Sequence, residues 1–321
     1  MLKFILWALL FGVTLISPFL GAVDLSFHSI LSPDSLGHQI FFDIRLPRLV
    51  FGFSAGVILA LSGLLFQTLF RNALMTPYTL GISSGAVLGA GIAIKLGLGS
   101  ILFGIATISL FGFGGAIFTV FLLIYLERFL KSSHSESLLL LGIALSLFYT
   151  SALMIVFYMG SSIQNDMLIR FTMGSLSVIA WQHPVILAIM ALFLLFSLYI
   201  YRYELQILAT SQTQATLKGL NTKKITLVLL VISSLAIGVL VSISGPIGFV
   251  GLVVPHIVTK LYPQTINKRI FKTALLGGLF LVACDTLSRS LNTQSELPIG
   301  IITALIGGPF FIYLIISKGQ K

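Results

Sequence analysis

Long apolar runs follow one another along the chain, separated by short polar breaks. They fall at residues 2–20, 49–70, 79–94, 101–126, 138–158, 184–201, 225–243, 248–261, 273–291 and 299–316. Each run is continuous rather than alternating with period two, which excludes the strands of a membrane barrel. A helix satisfies its backbone donors and acceptors internally and crosses the hydrocarbon core in about 20 residues. The pattern therefore predicts an all-α polytopic membrane protein with about ten transmembrane helices. The eighth run is short and largely bracketed by Pro246 and Pro255, so an irregular or tilted helix is expected there.

Composition agrees. Hydrophobic residues make up 57% of the chain and charged residues 9%, against about 45–50% and about 25% in soluble domains. Such a chain lacks the polar surface to cover itself in water. No linker or composition shift divides it, so residues 1–321 read as one membrane domain. No internal repeat supports an inverted-repeat secondary transporter.

Charge gives the orientation. With both termini cytoplasmic, only Arg45, Arg48, Lys95, Arg170 and Arg289 lie outside, and the other 14 of the 19 Lys and Arg residues lie inside. Basic residues favour the cytoplasmic side, so this topology is preferred for a multi-pass protein of the plasma (inner) membrane. The net charge of +10 is mostly this bias, and a nucleic-acid partner is not expected. Lys3, the apolar run after it and Phe19-Leu-Gly-Ala22 also fit a cleavable signal peptide. An uncleaved first span is preferred, because its removal leaves an odd number of helices and spoils the charge bias. Gly52 and Gly56, then Gly85 and Gly89, recur at the four-residue spacing that lets helix backbones approach in lipid.

Candidate chemistry is sparse. Gly81-Ile-Ser-Ser-Gly85 fits G-x-S-x-G, but a nucleophile elbow needs a strand-to-helix turn on an α/β sheet, so Ser83 reads as packing. His28, His38, His134, His183 and His256 have no ligand spacing and fall on both sides of the membrane, so no metal site is expected. The lone Cys284 excludes an intramolecular disulfide. Asp285 is the one acid clearly within a span, and intramembrane carboxylates are functional candidates. Arg289 lies four residues on, one helical turn, so a structural pair is preferred over a proton relay. Arg45, Arg48 and Arg289 break the inside bias. They fit lipid headgroups, local pairing with Asp43 and Asp285, or a basic patch that orients an acidic partner.

The longest cytoplasmic break, about residues 203–224, places apolar Leu205, Leu208, Ala209, Ala215, Leu217 and Leu220 among polar residues. Two short amphipathic helices with a turn near Gly219 fit this pattern, lying on lipid or under a partner. The phosphate-binding pattern G-x-x-x-x-G-K-[ST] is missing from the sequence, so ATP, if it drives the protein, binds another subunit.

Three stretches carry a resemblance. They are Arg71-Asn-Ala-Leu-Met-Thr-Pro-Tyr-Thr-Leu-Gly-Ile-Ser-Ser-Gly-Ala86, Gly245-Pro-Ile-Gly-Phe-Val-Gly-Leu-Val-Val-Pro-His256 and Glu296-Leu-Pro-Ile-Gly-Ile-Ile-Thr-Ala-Leu-Ile-Gly-Gly-Pro-Phe310. In this order they resemble the FecCD/BtuC-type permeases, the membrane subunits of type II iron-chelate, haem and vitamin B12 ABC importers. The resemblance implies a non-enzymatic ten-helix bundle, paired with a second copy or a similar subunit around a central path. It implies two ATPase subunits inside, which hold ATP and magnesium while this chain holds no cofactor, and a substrate-binding protein outside. It assigns Arg45, Arg48 and Arg289 to binding-protein docking. Ala215, Thr216, Leu217, Lys218, Gly219 and Leu220 fall to ATPase coupling, although Ser211-Gln-Thr-Gln214 lacks the early acidic residue common in the family. Ser83, Ser84, Ser135 and Glu136 fall near a cytoplasmic gate. The cargo implied first is a ferric siderophore, with haem, cobalamin and molybdate as alternatives and an ion-coupled secondary transporter as a remote one.

Overall fold

The computed structural model describes residues 2–21, 26–98, 101–102, 105–129, 135–210, 212–263, 265–291 and 296–319. Lys131 and His134 lie outside the described residues, and so does the side chain of Ser135. The apolar runs become helices α1 (Leu2–Ile16), α4 (Leu46–Leu69), α5 (Ile82–Lys95), α6 (Thr107–Glu127), α7 (Ser135–Tyr158) and α9 (Gln182–Ile200). They continue as α12 (Thr222–Ser244), α13 (Val250–Leu261), α14 (Ile266–Leu291) and α15 (Ile299–Gly319). Among the described residues, six helices are long and apolar enough to cross a membrane, and four more are apolar but shorter.

The shorter elements explain where the sequence pattern was incomplete. Ahead of α4 lie α2 (Phe27–Leu31), α3 (Leu36–Gln39) and a π-helical turn, Ile40–Arg45. The fourth run starts as a helix only at Thr107, because Ile101–Leu102 and Ile105–Ala106 pair as a two-residue antiparallel ladder. A helix not expected from hydropathy, α8 (Ser162–Met173), follows α7. Its signal was local instead: Ser161 and Gln164 form a reciprocal capping box. In the polar break after α9, α10 (Arg202–Thr210) and α11 (Gln212–Leu217) form, and Gly219 turns the chain with φ +79°.

The core is organised around α4. Its span is 83% buried, against 17% for the window in α7, so α4 is the central helix and α7 a peripheral one. Helices α9, α12, α13 and α14 pack around α4. A side chain at Gly56 would run into the Gly277 backbone of α14, and one at Gly89 into the Phe111 carbonyl of α6. Missing side chains thus let backbones touch, the packing that replaces hydrophobic drive in lipid. Gly52 differs from the expectation: it faces the side chains of Leu176 and Val282 rather than a backbone. Helix α1 lies against α14, and its Trp7 Nε1 donates to the Tyr262 hydroxyl at 2.9 Å.

The eighth run resolves into an irregular lead-in and a regular helix. Gly245 to Gly248 carry no helix, Phe249 adopts φ +65°, and α13 then runs unbroken through Pro255. The irregularity therefore precedes the helix.

Candidate functional site

At the end of the bundle where α4 begins and α14 finishes, four charges converge. Arg48 presents Nε and Nη2 to Asp285, with contacts of 2.8, 3.1 and 3.2 Å. Its remaining nitrogen, Nη1, serves both carboxylate oxygens of Glu296 at 2.8 Å. Arg289 Nε lies 3.1 Å from Asp285 Oδ2, the one-turn pair expected from the spacing. Two cations thus share two anions. The side chains of Arg48, Asp285 and Arg289 are 9%, 6% and 9% exposed, whereas that of Glu296 is 49% exposed. Glu296 also accepts a hydrogen bond from Ser177 Oγ at 3.0 Å. Its carboxyl is held below the usual glutamate range: partial burial pushes it up, and Arg48, its hydrogen bonds and Arg289 outweigh that.

The arginines also tie down the 3-10 turn Ser17–Phe19 and Leu20, which follow α1. Arg45 Nη1 donates to the Pro18 carbonyl at 2.9 Å, and Arg289 donates to the Leu20 carbonyl at 3.0 Å and to Ser17 Oγ at 2.8 Å. The last carbonyls of a helix lack intrahelical partners and carry partial negative charge, so cations satisfy them well. Arg45, Arg48 and Arg289 are therefore not a free basic patch: Arg45 and Arg48 are buried, and each of the three binds groups of its own chain. Reversing the sign of Arg48 or Arg289 would disturb the fold as well as any surface. Glu296 is the participant that sequence reasoning missed. Its only local signal was its position, the acid that opens the third resembling stretch.

The three resembling stretches meet in space. Residues 71–81 break the bundle between α4 and α5, and Met75, Thr76, Pro77 and Leu80 are buried there. The Tyr78 ring lies beside Gly248. Thr76 and Thr79 hydrogen-bond each other's backbone amides, which satisfies polar groups held among apolar helices. Gly307 of α15 has no side chain where the Phe249 ring sits, and His256 meets the Phe310 ring edge-on at 5.8 Å. Phe249 is thus held in a left-handed conformation uncommon for a bulky residue, with α15 packed on its ring. Of the gate candidates, Ser83 is buried and Ser84 half-buried in the first turn of α5, and Glu136 is exposed in the first turn of α7. Among the described residues no group of three His, Cys, Asp or Glu could hold a metal ion.

The break after α9 separates into a packed side and an outward side. Leu205, Leu208 and Ala215 are buried, and Gln206 Oε1 accepts the Ile266 amide of α14, which anchors α10. Leu220 packs against the core of its own chain rather than facing lipid or a partner. Leu217 is 82% exposed, with Thr216, Lys218 and Gly219 exposed beside it. A six-residue stretch thus presents one large apolar side chain outward on a turn seated by Ala215 and Leu220.

Residues 8–317, nearly the whole chain, match the FecCD transport family. The chain belongs to that family. Among relatives of the FecCD protein, the hemin transport system permease protein HmuU of Yersinia pestis is 33% identical over 325 residues, covering 100% of this chain and 96% of its own. The vitamin B12 import system permease protein BtuC of Salmonella schwarzengrund is 33% identical over 288 residues, covering 88% and 86%. A metal-chelate type ABC transporter solved in an inward-facing conformation matches with a TM-score of 0.86 at 28% identity, over 98% of both chains. A structure of PsaBC from Streptococcus pneumoniae shares the fold, with a TM-score of 0.60 at 17% identity over 84% of this chain and 89% of its own. This FecCD-family chain is a multi-pass, all-helical ABC transporter permease subunit and not a catalytic one.

Proposed function

We propose that this permease moves a metal chelate inward across the plasma membrane, with a ferric siderophore as the favoured cargo. Two copies, or one copy and a similar subunit, enclose the path. An extracytoplasmic binding protein docks at the end carrying Arg45, Arg48 and Arg289. Two ATPase subunits sit on the cytoplasmic end, which holds both termini and the residues 203–224, and they bind the ATP and magnesium. The stretch Ala215, Thr216, Leu217, Lys218, Gly219 and Leu220 carries the coupling contact, with Ala215 and Leu220 seating it and Thr216 to Gly219 facing outward, and Ser83, Ser84, Ser135 and Glu136 lie near the inner gate. Haem, cobalamin and molybdate permeases among the relatives make those cargoes the alternatives.

The observation that carries the coupling reading is Leu217. It is 82% exposed, lies outside the apolar spans and stands beside exposed Thr216, Lys218 and Gly219, which supports a contact with a partner at this turn. The remote alternative, an ion-coupled secondary transporter, needs a free carboxylate at membrane depth. Asp285 is a poor one, because Arg48 and Arg289 already engage it.

Leu217→Asp tests the coupling surface while sparing the packed Leu220. It places a carboxylate in a contact built for an apolar group, at a cost of a few kcal/mol if fully covered. Membrane insertion and thermal stability should persist, while ATPase co-purification and transport fall together. Retained stoichiometric ATPase with intact transport would refute the assignment. Binding of a ferric siderophore, haem, cobalamin or molybdate by the purified binding protein then decides the cargo.

A further inference from the structure

The docking reading leaves a physical conflict. Arginines that meet an acidic partner need an open coordination face, yet Arg48 is 9% exposed at its side chain and bound on both sides. We propose that Glu296 is an intramolecular stand-in for the partner's carboxylate: it occupies Arg48 in the undocked chain and is exchanged for an acidic side chain when the partner docks. This rests on the docking reading and names the residue that regulates it.

The two carboxylates on Arg48 are not equivalent. Asp285 is held across Nε and Nη2, the side-on fork that two parallel N–H groups make with a carboxylate. It is 6% exposed, and Arg289 Nε lies against the same Oδ2 that Arg48 Nε binds. Glu296 has both oxygens on the single nitrogen Nη1, so the donors cannot point along both contacts. It is also the member of the cluster that water reaches, at 49% exposure. The inner anion is therefore the permanent one and the outer anion the exchangeable one.

Exchange preserves the charge balance. A partner Asp or Glu arriving at Nη1 replaces one half-exposed ion pair by another, and the released Glu296 is rehydrated. A free arginine at this depth would instead lose water without a partner before docking. The exchange favours a carboxylate, because a neutral acceptor on Nη1 leaves the charge that Glu296 balanced uncompensated and a cation is repelled.

Exchange also has a mechanical consequence. Glu296 is linked to Ser177 through its carboxylate, and the next residue, Leu297, accepts a hydrogen bond from Ser288 Oγ through its carbonyl. Two residues on, α15 begins, with Gly300 against the Met173 carbonyl and Gly307 against Phe249. Releasing Glu296 removes one tether from the lead-in to α15.

The test uses the permease–ATPase complex in phosphatidylcholine nanodiscs and measures affinity for the importer's own purified binding protein. Arg48→Gln should weaken binding; unchanged affinity would instead overturn the docking reading itself. Glu296→Gln keeps the side-chain shape, removes the competing charge, and should tighten binding about two- to fivefold, the range one half-exposed ion pair allows. Ser177→Ala, which removes only the hydrogen bond to Glu296, should move affinity in the same direction by less. The double variant Arg48→Gln with Glu296→Gln should bind like Arg48→Gln alone. If Glu296→Gln tightens binding equally without Arg48, the effect is general surface charge and the exchange is wrong. Weaker or unchanged binding by Glu296→Gln, with Arg48→Gln still weakened, also overturns it. If the coupling between the two positions appears only for phosphatidylglycerol vesicles and not for the binding protein, the exchanging anion is a lipid headgroup and the proposal fails.

Discussion

Replacing Asp285 with Asn removes the one carboxylate that Arg48 and Arg289 share, and leaves two guanidinium groups facing each other at about one-tenth exposure. Breaking a buried ion pair by deleting one partner typically costs about 3–5 kcal/mol, because the remaining charge is left without compensation. Glu296 stays on Arg48 and the Asn oxygen still accepts one hydrogen bond, so the lower end, about 3 kcal/mol, is expected. The pair Arg170–Asp166 is the internal control. It has the same i, i+4 spacing but is 81% and 69% exposed, so Asp166→Asn should stay within about 0.5 kcal/mol. Unfolding in mixed micelles can be followed by maleimide labelling of Cys284, the single cysteine, which is 1% exposed in the folded chain. A double variant that also carries Arg289→Gln removes one charge of each sign, and should recover at least about 1 kcal/mol of the loss. A loss for Asp285→Asn no larger than that for Asp166→Asn would refute the view that this cluster holds α4, α14 and the turn after α1 together.

Two further outcomes follow from the packing and the titration of the same elements. Gly307→Ala drives a methyl group into the Phe249 ring and should destabilise by about 1–3 kcal/mol; Phe249→Ala in the same chain should return part of that, and strictly additive losses would refute the contact. The Glu296 carboxyl titrates below its ordinary value of 4.5, so its contribution is present above that value and is lost as pH falls through the lower folded value. The stability advantage of wild type over Glu296→Gln should therefore persist from neutral pH down to about 4.5 and vanish at more acid pH, staying under about 1 kcal/mol because the group is half exposed. A difference that grows on acidification would refute the sign.

Most of the helical architecture was legible in the chain because lipid imposes a local rule. A spanning segment must be apolar and must satisfy its own backbone, so ten runs of the right composition became ten helices without reference to one another. Local spacing likewise gave the Asp285–Arg289 pair, one turn apart, and the two short helices followed by a turn at Gly219. Helix α8 escaped the hydropathy pattern because its sequence is no more apolar than polar, and only the box at Ser161 and Gln164 marked it. What tertiary structure alone decided was which polar groups share a site. Arg48 and Asp285 are 237 positions apart, and Arg48 and Glu296 are 248 apart, so no periodicity links them. Burial was also decided there: Leu217 and Leu220 look alike in the sequence, but one faces outward and the other rests on the core. The physical reason is the same in both cases. Composition and period determine which segments leave water, whereas the pairing of their charges and the side a leucine faces depend on helices brought together from distant parts of the chain.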